Sequence, residues 1–214
     1  EQNIKSLNVS VKNLEKYLGQ PIFTQEEVYS QLAPGMALGL AWTSMGGSTL
    51  YIEASSLKQK QTGFKQTGQL GKVMQESSEI AFSYVKSLLC SNDGYDKFFD
   101  EHFVHLHVPA GATPKDGPSA GITMASALYS LAAGKPLPSD VAMSGEITLT
   151  GKILPVGGIR EKTIAARRVG VMELIFPQAN RKNYHELPDY IREGINVHFV
   201  DNFTQVLDVV FHEE

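Results

Sequence analysis

The apolar residues of this chain change their spacing repeatedly, between every second position and every third or fourth, and that irregular order limits what it can fold into. MALGLAWTS (36–44) and STLYIEASS (48–56) flank Met45-Gly46-Gly47, which predicts a β-hairpin turning on a glycine pair. The next segment, LKQKQTGFKQTGQ (57–69), is polar and holds Gly63 and Gly68, so an exposed loop is expected. VMQESSEIAFSYVKSLLC (73–90) places Val73, Ile80, Val85, Leu88 and Leu89 at helical intervals, and Asn92-Asp93-Gly94 stops that helix. HFVHLHV (102–108) alternates as a strand does, with Val104, Leu106 and Val108 on one face and Phe103, His105 and His107 on the other. A helix is expected from about Pro118 to Ala133, closed by Gly134 and Pro136. Then come strands in VAMSGEITLT and KILPV around Thr150-Gly151-Lys152, and a helix after Gly157-Gly158 to about Val169. Strand ELIFP, a short helical piece near 180–193, strand INVHFV and a C-terminal helix from Phe203 complete the order. Strands and helices mixed in this way predict an α+β or mixed α/β domain rather than a doubly wound sheet. There is no internal repeat.

A length of 214 residues with 42% in the hydrophobic set suits one large domain, or one and a half small ones, with a sizeable core. Residues 1–20 read as a tail left by a preceding unit, closed by Gly19 and Pro21. The start, EQNIKSLNVSVKNLEKYLG, has no initiator Met and no charged-then-apolar signal pattern, so the chain reads as a fragment of something longer or a processed product. The net charge of -4, with basic residues scattered, argues against a dedicated nucleic-acid binder. No apolar run approaches the roughly 18 residues of a membrane span. Cys90 is the single cysteine, which excludes a disulfide framework within the chain, points to a reducing compartment and reads as a small core residue.

The candidate chemistry starts in ATPKDGPSAG (112–121). Pro118 fits the first position of a helix, where a missing N–H costs nothing, and Gly117 permits close backbone approach. Ser119 would then lie in the first helical turn, among unpaired N–H groups and the positive end of the helix dipole. Those are the parts of an oxyanion hole, and equally the parts of an ordinary serine cap. A serine nucleophile needs a base; the candidates are His105, His107, Asp116 and a lysine whose pKa burial has lowered. Projected at 100° per residue, IREKTIAARRV (159–169) puts Ile159, Ala165, Ala166 and Val169 together. Lys162 falls between Val169 and Ala166, with Arg160, Glu161, Arg167 and Arg168 opposite and Ile164 as the misfit. Lys162 is thus either a base on an apolar face or a lysine whose stem packs while its amine reaches water. Lys115 and Lys152 lie in polar loops and read as solvated. Glu146 could pair with a base or face solvent, and Ser144 could hydrogen-bond a neutral amine or merely occupy a strand. No metal-ligand spacing occurs, and GQLGK (68–72) lacks the glycine spacing of a phosphate cradle.

PKDGPSAG followed by SGEITLTGKILPVGGIREKTIAARR resembles the Lon protease family, in its C-terminal proteolytic domain. GLAWTSMGG with LYIEAS, TGQLGKVMQES and HLHVPAGATPKDG are similar to the same family, and the likeness runs from about Pro21 to the C-terminus. The resemblance implies a mixed α/β domain and a serine endopeptidase with a Ser-Lys dyad, Ser119 the nucleophile and Lys162 the general base, working through an acyl-enzyme. Backbone N–H groups from Gly117 to Ser119 would hold the oxyanion. It also implies hexameric rings in which an ATPase unfolds polypeptide and feeds it to an enclosed chamber. Residues 1–20 then look like the end of the ATPase module, so ATP and Mg belong to a part outside this chain, and no cofactor is expected within it. A bacterial cytoplasm is the expected compartment, with the mitochondrial matrix as the alternative. Ser144 stands where the family commonly has Thr, and Arg160 where lysine is frequent. Two rival readings of the serine loop are a small-molecule kinase-like phosphate-binding domain and a non-catalytic ring-assembly module.

Overall fold

In a computed structural model of the chain, described for residues 8–19, 29–43, 46–90, 97–109 and 114–211, a seven-stranded sheet separates two helical layers. A 3-10 turn, Val11–Asn13, leads into helix α1 (Leu14–Leu18), and neither buries a residue. Strands β1 (Met36–Thr43) and β2 (Gly46–Lys58) form the expected hairpin, Trp42 opposite Gly47 and Thr43 opposite Gly46. Met45 of its turn, the breaker Asn92-Asp93-Gly94, Pro21 and residues 110–113 lie outside the described residues.

The expected loop at 57–69 is not a loop. Strand β2 runs on to Lys58, and Gly63–Thr67 forms β3, parallel to β4 (His102–His107). An edge strand needs a partner on one side only, so polar residues suffice there. Phe64, its apolar residue, stacks on Phe82 of helix α2 (Lys72–Cys90) with ring centroids 4.5 Å apart. Cys90 is exposed rather than in the core, because it closes α2 one residue past the inward-facing Leu89.

Helix α3 (Phe98–Glu101) precedes β4, and α4 is Gly121–Ala133. It begins three residues later than the Pro118 start the sequence suggests. Pro118 to Gly121 is instead a turn closed by Gly121 N–H on the Pro118 carbonyl (3.1 Å). Strands β5 (Val141–Met143), β6 (Glu146–Ile147) and β7 (Ile153–Leu154) follow, with β6 and β7 in a separate two-stranded ribbon. Helix α5 (Ile159–Arg168) leads to β8 (Glu173–Pro177). Two short helices, α6 (Arg181–His185) and α7 (Asp189–Arg192), replace the single helical piece expected. Strand β9 (Asn196–Val200) and α8 (Phe203–Val210) end the described chain.

The sheet order is β3-β4-β2-β1-β5-β8-β9. Only β2 runs against the others, so the sheet is mixed, as the element order predicts. Alternation along the central strands feeds two cores. Val141, Met143 and Ile175 face α2, α4 and α8, while Ala142, Leu174 and Phe176 face α5 and Tyr184 of α6. Helix α4 is buried almost all round, sandwiched between sheet and outer helices.

Candidate active site

Strand β5 leaves the sheet after Met143, and the next residues, Ser144 and Gly145, join the two layers. The Ser144 N–H still reaches the β8 carbonyl of Ile175 (3.1 Å). Gly145 then donates to the Ser119 carbonyl (2.9 Å), and its own carbonyl accepts from Ile122 in the first turn of α4 (3.0 Å). The head of α4 is thereby stitched to the end of β5. Gly145 has little room to be anything else, since a Cβ there would lie 3.0 Å from Ile153 and 3.1 Å from Ile122. Sequence reasoning missed Gly145 as a fixing point; the break of apolar alternation at Ser144-Gly145 was its only signal.

Ser119 is half-buried in the turn before α4, two residues ahead of the first helical residue and not inside the first helical turn. The physical reason is its carbonyl, which accepts from both Gly145 N–H and Ser144 O–H (3.1 Å) and so cannot enter the helical ladder. Its Oγ makes no hydrogen bond among the described residues, and Ala120, not Ser119, is the N-cap. The cap reading of the serine therefore fails on geometry.

Lys162 comes from the other layer. Helix α5 lies against β1 and β2 with Ile159, Ala165 and Ala166 buried and Ile164 exposed, as its periodicity predicts. On the inward face Lys162 is only 1% exposed, one of the largest fully buried side chains among the described residues. It does not snorkel. Its Nζ donates to Ser144 Oγ at 2.9 Å, and Ser144 is itself fully buried. Because the Ser144 hydroxyl proton is directed to the Ser119 carbonyl, its oxygen is left to accept from the amine. Burial lowers the Lys162 pKa from 10.5 to about 8, since an ammonium loses more than an amine on leaving water. Two hydrogen bonds thus run from the lysine amine to the backbone of Ser119.

The remaining candidates lie apart from this pair. One Asp116 carboxylate oxygen accepts from the Met74 N–H in the first turn of α2 (3.0 Å) and from the Gly117 N–H (2.9 Å). It points to α2, not to Lys162, and it occupies the Gly117 donor expected of an oxyanion hole. The N–H groups of Ser119 and Ala120 carry no hydrogen bond among the described residues. Gly117 has φ of 110°, a torsion that glycine alone adopts cheaply. His107 Nδ1 and His105 Nε2 converge on the Thr67 hydroxyl at 2.7 and 2.8 Å, on the far flank of the sheet. Burial, with Lys65 and His107 adding to it, lowers the His105 pKa. Neither imidazole bonds Ser119 or Lys162. Glu146 is half-buried in β6 opposite Leu154 and does not bond Lys162. Lys115 is less solvated than its loop suggests: its ammonium donates to the Gly68 carbonyl (3.0 Å), and burial lowers its pKa. Among the described residues no three His, Cys, Asp or Glu side chains group as a metal site, and no helix is long and apolar enough to cross a membrane.

A mixed α/β domain in which a fully buried lysine is linked, through the Ser144 hydroxyl, to the turn that carries a half-buried serine has the parts of a hydrolase. Over residues 8–213 the chain matches the family model of the Lon protease (S16) C-terminal proteolytic domain, and it belongs to that family. It is 57% identical over 205 residues to Lon protease 1 of Syntrophotalea carbinolica, covering 96% of this chain and 25% of that protein. Against Lon protease 2 of Hydrogenovibrio crunogenus the identity is 56% over 210 residues, 98% of this chain and 24% of that protein. The mitochondrial Lon protease homologue of Bos taurus is 46% identical over 217 residues, 97% of this chain and 23% of that protein. The chain thus spans about a quarter of the length of these relatives.

Proposed function

We propose that this chain is the peptide-cleaving domain of an ATP-dependent protease, with Ser119 as nucleophile and Lys162 as general base. The observation that carries it is a buried lysine, lowered to about 8 and linked through one hydroxyl to the turn that presents the serine. With a pKa of about 8 the amine is neutral in roughly one molecule in ten at pH 7, far more than an ordinary lysine, and keeps good proton affinity. The N–H that Lys162 gives to Ser144 leaves its lone pair free for Ser119 Oγ–H. As Oγ attacks a peptide carbonyl, the proton passes to Lys162 Nζ and negative charge develops on the carbonyl oxygen. On this reading the N–H groups of Ser119 and Ala120, which carry no hydrogen bond among the described residues, are the donors that meet that charge. The Lys162 ammonium then returns the proton to the leaving amine, and an ester to Ser119 remains. Water, deprotonated by the same amine, hydrolyses it and restores the serine.

The substrates on this reading are unfolded or damaged polypeptides. ATP and Mg act in a separate ATPase module, whose end residues 1–20 represent; the lack of any buried residue in Val11–Leu18 fits that place. Assembly into a hexameric ring and a bacterial cytoplasmic location, with the mitochondrial matrix as the alternative, complete the proposal. The relatives include both bacterial and mitochondrial Lon proteases.

Ser119→Ala and Lys162→Ala, each made in the full-length protein, test the dyad directly. Both are expected to abolish cleavage of an unstructured peptide while leaving far-UV circular dichroism and ATP hydrolysis intact. Full cleavage by either variant refutes the assignment.

A further inference from the structure

The tip of the β1–β2 hairpin meets the helix that carries Lys162 with no side chain between them. At Gly47 a Cβ would sit 1.9 Å from the Glu161 carbonyl oxygen, 2.5 Å from its carbon and 3.0 Å from the Ala165 methyl. These belong to the α5 turn that contains Lys162. The Gly47 φ is not in the left-handed region, so its torsions would suit other residues and the contact alone demands glycine. Its neighbour Gly46 is the converse: φ is 110°, and a Cβ there would meet nothing within 4 Å. Two further contacts hold the same seam. The Arg168 guanidinium at the end of α5 donates to the Gly47 carbonyl (3.1 Å). Trp42, opposite Gly47 on β1, packs against the backbone of Gly158 at the head of α5.

We propose that Gly47 is a positioning residue: by lacking a side chain it lets the hairpin tip close on α5 at Glu161 and Ala165, and so sets the depth at which Lys162 meets Ser144 and the Ser119 turn. This rests on the reading of Ser119 and Lys162 as the reacting pair. Ordinary contact between such atoms is about 3.5 Å, so a methyl at Gly47 must push the hairpin and α5 apart by more than about 1 Å. Glu161 immediately precedes Lys162, and little slack exists to absorb the shift, because the Lys162 amine is held to Ser144 at 2.9 Å. Displacement of α5 also lets water reach an amine that burial alone now depresses. The charged neighbours on its own helix, Arg160, Glu161, Arg167 and Arg168, stand on the outward face. Ser144 faces it from the sheet, where β2 carries Tyr51, Glu53 and Lys58. Helices α6 and α7, which also pack on α5, carry Arg181, Lys182, Tyr184, His185, Asp189, Tyr190 and Arg192. None of these titratable groups bonds Lys162 among the described residues.

The experiment compares Gly47→Ala with Gly46→Ala in the full-length protein, reading kcat and KM for an unstructured peptide from neutral to alkaline pH. Gly47→Ala is expected to lower kcat at neutral pH by roughly a hundredfold, the scale set by an ångström of misplacement. KM should stay nearly constant, and the acidic limb of the kcat profile should move to higher pH. Gly46→Ala strains the backbone of the same turn, where φ is 110°, but puts no methyl against α5, and should leave that limb where it is. An unchanged limb in Gly47→Ala, a loss confined to KM, or an equal shift in Gly46→Ala overturns the proposal. If Gly47→Ala does not fold, Arg168→Ala loosens the same seam from the exposed side. It should move the limb in the same direction by less, and an unmoved limb overturns the proposal. Lys162→Ala run alongside separates the two claims. Activity there removes the dyad reading, whereas an inactive Lys162→Ala beside a normal Gly47→Ala removes only the positioning role.

Discussion

Lys162 pays in stability for its place in the site, by an amount that depends on pH. Its pKa is about 8 in the folded domain and 10.5 in an ordinary lysine, which stands for the unfolded chain. Below about pH 8 both states hold the proton, and the folded state bears the full penalty of a buried ammonium. Between about 8 and 10.5 only the unfolded state is protonated, so stability rises with pH across that window. Lys162→Met, which keeps the length and discards the charge, should therefore be inactive yet more stable at neutral pH. The gain should be on the order of 2 to 3 kcal/mol and should fade as pH climbs through the window. Urea denaturation of both proteins at neutral and alkaline pH measures it, and a destabilised methionine variant would contradict the assigned burial penalty. Ser144 gives a second residue-scale test. Ser144→Ala strips the amine of its one hydrogen-bond acceptor among the described residues, at about 1 to 3 kcal/mol for a buried donor left unpaired. Peptidase kcat should drop tenfold or more, while Ser144→Thr, which keeps the hydroxyl, should retain most of it. Equal loss in both variants would mean that shape, not the hydrogen bond, is what Ser144 supplies.

Among the elements, the serine turn is held less by α4 than by α2. The first turn of α2 receives the Asp116 carboxylate on Met74 N–H, and its preceding residue Gly71 donates to the Lys115 carbonyl (2.7 Å). Ser77 reaches the Pro118 carbonyl (3.3 Å). Asp116 is thus an N-cap supplied from outside the helix it caps, and loss of such a cap costs about 1 kcal/mol. Asp116→Ala should lower unfolding free energy by about that amount in a urea titration. Asp116→Asn, which keeps an acceptor oxygen, should restore most of it, and a neutral Asp116→Ala would show that the cap carries no weight. Sequence reading could not foresee this bond, because a cap is recognised from the residue just before its own helix, and Asp116 lies 42 positions from Met74. The same blindness to distant partners explains β3: its strand character comes from β4, which only the fold brings alongside. Features with local causes were legible. The hairpin, α2, β4 and the inward face of α5 follow from spacing alone, and that spacing singled out Lys162. The start of α4 was misjudged because Pro118 satisfies the rule for a first helical residue, while Gly145 and Ser144, 25 or more positions later, draw the Ser119 carbonyl away.

For the whole molecule, the consequence is that its candidate site has no layer of its own. Ser119 heads a helix of one layer, Lys162 belongs to the other, and Ser144 continues the shared strand β5 between them. Strands β1, β5 and β8 each send residues into both cores, for example Ile175 to one and Phe176 to the other. Unfolding either layer alone would strip one face of those strands of its cover, so the two cores should melt together. The single tryptophan makes this measurable: Trp42 is 62% exposed, so its fluorescence change is small, but it touches Gly158 at the head of α5 and reports that layer. Far-UV circular dichroism is weighted instead toward the long helices α2 and α4 of the other layer. The two signals should give coincident urea transitions for the 214-residue chain. Phe176→Ala opens a cavity in the α5 core and should move both midpoints down together, by about 3 to 5 kcal/mol of unfolding free energy. If Trp42 fluorescence alone shifts, the α5 layer is a separate cooperative unit, and a lysine could leave the serine while the rest of the domain stays folded. A common shift means that the pair is kept together by the stability of the entire sheet.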